Sequence, residues 1–219
     1  MKIGIELNNV VRDINKQLLK YYVKDINKDF DEKNANMKLI NFCDTLPFKT
    51  KKDRTNFQYI DYPLEIYGCA KTMNRNLSTF VNEWEINLNN LDDEESYKLA
   101  YFSLLEEALT IQSTYYFLSK TGTRVREMYF PKDGKDMWKV CDVIVTTNER
   151  IVKNRPEGKV AVLIKMGDNE KAAKHADLVY NSLQDIINDE NFIQKVKDLT
   201  PCVKPTLISK IKNKLYKMF

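Results

Sequence analysis

Short apolar, β-branched runs alternate with helix-period runs along most of this chain, and that alternation restricts the fold more than any other feature. Ile3, Ile5 and Leu7 mark a first strand, and Val10, Val11, Ile14, Leu18, Tyr21 and Tyr22 then recur at helical spacing to about residue 29. Residues 99–103, 125–130, 141–146 and 160–165 read as further strands, with 176–180 as a short last one. Helical patterns fall between them, over 104–118, 132–139 and 148–154, and Asn181-Ser182 caps another through residue 187. A strand that feeds a helix returns to the sheet parallel to itself. The pattern therefore predicts an α/β protein with a mainly parallel sheet flanked by helices.

One block breaks the alternation. Residues 37–97 contain Pro47 and Pro63, a helical pattern over about 63–84 and an acidic linker over 89–96. They read as a mostly helical, cap-like insertion between the first and second strands. Residues 1–36 and 98–190 then form the core, and 191–219 a basic C-terminal extension. The net charge of +4 is uneven: from Phe192 onward there are seven lysines and one aspartate, so residues 1–191 sum to −2. In that extension Leu207, Ile208, Ile211 and Leu215 share one face of a helix pattern, with Lys210, Lys212, Lys214 and Lys217 mostly on the rest. These eight residues are the expected partner-binding surface; the bland alternative is a helix packed on its own domain.

Other residues exclude more than they propose. No run approaches the roughly 18 apolar residues of a membrane span, and the first residues read as a strand, not a secretory leader. Cys43, Cys69, Cys141 and Cys202 are widely spaced without a CxxC pair, and His175 is the single histidine, so free thiols are expected and no zinc pattern is present. His175 lies in a polar stretch and reads as a surface residue; Trp84 and Trp138 lie in helical patterns and read as core. The tyrosine-rich segments 59–67 and 97–116 read as core first and contact surface second. Lysine outnumbers arginine 28 to 7 and asparagine is abundant, the bias of an AT-rich coding sequence.

The opening run Ile-Gly-Ile-Glu6-Leu7-Asn8-Asn9-Val10 resembles the first motif of the haloacid dehalogenase-like superfamily, and in particular its 5′-nucleotidase-like branch. The resemblance covers roughly residues 1–190. It implies a nucleophilic aspartate where this chain has Glu6 and an acid/base aspartate where it has Asn8. It implies a phosphoryl-holding hydroxyl at Ser103, a lysine at Lys132 or Lys135, and Mg²⁺-holding aspartates where the chain has Thr146 and Thr147, with Glu149 beyond.

These departures remove chemistry together. Glutamate shifts the carboxylate by one methylene, and a misplacement near 1 Å costs about 10²-fold in rate. Asparagine cannot exchange a proton, which removes a contribution of roughly 10²–10⁴-fold. Threonine hydroxyls are neutral where Mg²⁺ takes carboxylates. The expectation is thus a pseudoenzyme without a cofactor, in which Glu6, Asn8, Ser103, Lys135, Thr146 and Thr147 are vestigial. It would serve as a structural or assembly component that associates with itself and with other proteins. Composition, nucleotidase-like ancestry and the charged tail together point to a tailed-bacteriophage protein of the tail or neck, found in the virion or the host cytoplasm. The alternatives are a Mg²⁺-dependent phosphatase with an altered site, relying on Glu149 or Asp142, and a nucleic-acid binder acting through the basic tail.

Overall fold

The computed structural model describes residues 1–91 and 96–200. Its strands are β1 (Lys2–Glu6), β2 (Lys98–Phe102), β3 (Glu127–Tyr129), β4 (Val143–Thr146), β5 (Val160–Ile164) and β6 (Leu178–Tyr180). They form one sheet in the order β3-β2-β1-β4-β5-β6, and every pairing is parallel. The chain builds outward from β1 to β3, then returns to the other side of β1 with β4. This is a Rossmann-like order, and its switch point lies at the carboxyl ends of β1 and β4.

The central strands have no polar face because both sides are covered. All five residues of β5 and all four of β4 are buried. On one side Ile3, Ile5, Val143, Val145, Val160 and Val162 pack with α4 (Leu77–Asn89), α5 (Ala108–Thr121), α7 (Leu183–Ile187) and α8 (Phe192–Leu199). On the other, Phe102, Ile144, Ala161 and Leu163 pack with Trp138 and with Ile151 and Val152 of α6 (Glu149–Lys153). Gly4 is needed at close quarters, since a Cβ there would lie 2.7 Å from Cys141 Sγ. Among the described residues no helix is long and apolar enough to cross a membrane.

Between β1 and β2 lies a helical block with its own apolar cluster, built from α1 (Ile14–Tyr21), α2 (Phe42–Thr45), α3 (Lys51–Asn56) and three π-helical turns, Tyr22–Ile26, Phe57–Asp61 and Leu64–Gly68. Ile14, Leu18, Tyr22, Phe42, Phe57 and Tyr67 are buried in it. The Tyr22 ring meets Phe30, Phe48 and Phe57 edge-on at centroid distances of 5.3, 5.1 and 6.2 Å.

Several elements differ from the sequence pattern. The helix expected from Val10 begins only at Ile14, because residues 8–12 form a tight loop and Asp13 caps the helix by accepting from the Lys16 N–H. That helix packs in the intervening block, not on the sheet. The helix expected over 63–84 is divided: the turn Leu64–Gly68 belongs to the block, whereas α4 starts after Asn76, whose φ is 62°, and covers the sheet. Finally, the extension expected from 191 opens with α8, whose Phe192 and Val196 are buried in the sheet core. The partner-binding residues expected at 207–217 lie outside the described residues, as does Cys202.

Candidate functional site

The carboxyl edge at the switch point gathers the residues singled out in the first strand. Glu6 ends β1 beside Thr146, which ends β4. Its Oε2 accepts from Thr146 Oγ1 at 2.6 Å, from the Thr147 N–H at 2.9 Å and from Thr147 Oγ1 at 3.2 Å. Burial raises the Glu6 carboxyl above the ordinary range, against the lowering effect of these three donors. Asn169 fixes the neighbouring loop, donating to the Thr147 and Ile164 carbonyls at 2.9 and 2.8 Å.

Immediately after β1 the backbone turns back on itself. Leu7 O accepts from both Val11 N and Arg12 N, and Asn9 adopts a left-handed φ of 61°. Asparagine tolerates that conformation better than most residues. The turn buries Arg12 completely. Its guanidinium donates to Asn8 Oδ1 from Nε at 2.9 Å and from Nη2 at 2.6 Å. It also donates to Thr114 Oγ1 at 2.6 Å and to the Tyr67 carbonyl at 3.3 Å. Nη2 is paired with Glu106 Oε1 at 2.6 Å, and both side chains are fully buried. The guanidinium carbon sits 5.0 Å from the Tyr67 ring centroid and 5.4 Å from that of Phe117.

Ser103 is part of the same network. Its hydroxyl donates to Glu106 Oε1 at 2.5 Å and accepts from Asn8 Nδ2 at 3.3 Å. Thr114 Oγ1 donates to Glu106 Oε2 at 2.6 Å. The Glu106 carboxylate thus takes a guanidinium and two hydroxyls, a closed arrangement suited to a buried ion pair.

The structure therefore brings together Glu6, Thr146 and Thr147 in one group and Asn8 and Ser103 in an adjacent one. Lys135 joins neither, turning its ammonium to Asp133 Oδ2 at 3.3 Å. Lys132 lines a small recess of about 100 Å³ with Leu105, Asn148 and Arg150. Glu149 is ion-paired with Lys153 on α6. Asp142 lies at the opposite, amino edge of the sheet, where it accepts from the Lys2 N–H and from Lys159 Nζ, both at 2.8 Å. Burial raises its carboxyl, but these donors outweigh that and hold it below the ordinary range.

The sequence pattern does not single out Arg12, Glu106 or Thr114. The one signal available was a cation following Val10-Val11 at an apolar position. Nothing in the pattern marks Glu106 as its partner, 94 residues away.

The residues present do not fit a Mg²⁺ ion. Such an ion takes about six oxygens, usually including one or two carboxylates. Here Glu6 Oε2 already accepts three hydrogen bonds, and Asn8 Oδ1 faces a guanidinium. Among the described residues no three His, Cys, Asp or Glu side chains cluster as metal ligands. Comparison with protein-family models finds no match, and comparison with curated proteins finds no relative.

Proposed function

We propose that this chain is a catalytically degenerate, haloacid dehalogenase-like protein that acts as a structural or assembly component. The observation that carries the reading is the buried Arg12–Glu106 pair. It engages Asn8 and Ser103, the two positions that the resemblance assigns to acid/base work and phosphoryl binding. A phosphate entering there would have to displace Glu106 from Arg12 and leave a buried carboxylate unpaired. The network also joins the helical block to the sheet, through Tyr67 on one side and Ser103 and Thr114 on the other. A scaffold gains from that rigidity, whereas a hydrolase would need the groups free. Composition is what points to a tailed-phage particle as the assembly; mass spectrometry of purified particles tests that step.

The activity test is Mg²⁺-dependent hydrolysis of p-nitrophenyl phosphate and a nucleotide panel, comparing the native chain with Glu6→Ala. The expected outcome is no turnover above background for either. Turnover by the native chain that Glu6→Ala abolishes overturns the reading in favour of a phosphatase with an altered site.

A further inference from the structure

A second site lies in the helical block, away from the switch point. A groove of about 480 Å³ is lined by Tyr22, Asp25 and Ile26 on one side and by Phe48, Asp53 and Asp61 on the other. Its chemistry is acidic and apolar together. Three carboxylates face one lysine, Lys49. Tyr22 and Phe48 pack edge to face, and Ile26 is 45% exposed.

The carboxylates differ in how far they are already engaged. Asp53 accepts from the Thr50 N–H in a capping box, and Asp25 is 3.7 Å from Lys24. Asp61 makes no ion pair among the described residues. Both flanks, Tyr22–Ile26 and Phe57–Asp61, are π-helical turns. Such turns are rare, and they recur at functional sites because the wider turn re-aims side chains.

A ligand for this groove needs several positive charges interleaved with aliphatic side chains. The chain carries such a segment itself. Beyond Thr200 there are 19 residues with five lysines and no acidic residue, and Leu207, Ile208, Ile211 and Leu215 are interleaved with Lys210, Lys212, Lys214 and Lys217. We propose that the groove is the docking site for residues 204–217 of a second copy of this chain. The inference rests on the reading of the protein as an assembly component, and it names the contact through which copies join. Lysines meet Asp25 and Asp61 at the rim, while aliphatic side chains cover Ile26 and the Phe48 ring. Because groove and tail are different surfaces, every copy offers both halves of the contact, which closes as a reciprocal two-fold tail exchange or as a ring and otherwise propagates as a filament.

The test uses full-length chains and reads association by sedimentation velocity over a concentration series. One variant reverses the groove (Asp25→Lys with Asp61→Lys), and another reverses the tail (Lys210→Glu with Lys214→Glu). Asp25 and Asp61 are exposed, and unaltered far-ultraviolet circular dichroism confirms that the fold is kept. Each variant alone should associate about tenfold more weakly than the native chain, since each reversal replaces attractions with repulsions. An equimolar mixture should recover association, because the reversed groove of one chain then matches the reversed tail of the other. Native chains that stay monomeric throughout, association indifferent to groove reversal, or a mixture that fails to recover each overturn the proposal. None of these outcomes touches the phosphatase assay, so the two readings fail separately.

Discussion

Arg12 and Glu106 form a pair that can stand only as a pair. A charge enclosed with its partner is tolerable in a protein interior, but the same charge left alone is not. Arg12→Met should therefore destabilise the chain by about 3–5 kcal/mol, measured by urea unfolding, because Glu106 is left buried and unpaired. Glu106→Met should cost a similar amount. The double variant should cost clearly less than the two singles added, a coupling of about 2 kcal/mol. Simple additivity would show that Asn8, Thr114 and the Tyr67 carbonyl hold the guanidinium without Glu106. Neither residue stands out in the sequence. Glu6 and Asn8 do, since they sit at the end of a plainly legible strand, and the structure puts both at the switch point.

The loop between β2 and α5 carries a different kind of cost. The sequence pattern extends the helix back to residue 104, but α5 begins at Ala108. Ser103 and Glu106 turn inward to Arg12, and the backbone accommodates this by placing Leu105 at a φ of 58°. Leu105 is also 62% exposed, so it contributes little burial in return. A left-handed conformation costs a non-glycine residue about 1–2 kcal/mol. Leu105→Gly should thus stabilise the protein by about 0.5–1 kcal/mol, after allowing for the extra freedom of glycine when unfolded. A lower thermal midpoint for this variant would show that the exposed leucine has a packing role. The strands were legible at nearly the expected positions because buried parallel strands are continuous apolar runs, which few other elements produce.

At the scale of the whole molecule, the Arg12 network joins the helical block, with its own apolar cluster, to a sheet packed on both faces. Cys43 belongs to the helical block and Cys141 to the sheet. Both are buried, and burial pushes each thiol up to about 12. Neither reacts as it stands, so labelling reports local opening. With Ellman's reagent at pH 8, Cys43 should react faster than Cys141, because the block packs outside the sheet and can open without it, whereas Cys141 lies against Gly4 of the central strand. Half-buried Cys69 should react before both. Equal rates for Cys43 and Cys141 would make the molecule one cooperative unit. The sequence pattern puts the first helix with the sheet and runs the block through the fourth helix; packing divides them the other way, with α1 in the block and α4 on the sheet. Periodicity shows that a helix has an apolar face, not which surface that face will meet.

The α/β class, the parallel strands and the identity of the side chains at the end of β1 are all legible along the chain, because they follow from local pattern and strand direction. Tertiary structure alone decided what those side chains do. Asn8 and Ser103 are engaged by Arg12 and Glu106 only because a tight turn after β1 and a left-handed residue after β2 bring them together from 94 residues apart. Such a contact leaves no trace in periodicity. It is selected by the need of each buried charge for a partner, and that need is met in space, not along the chain.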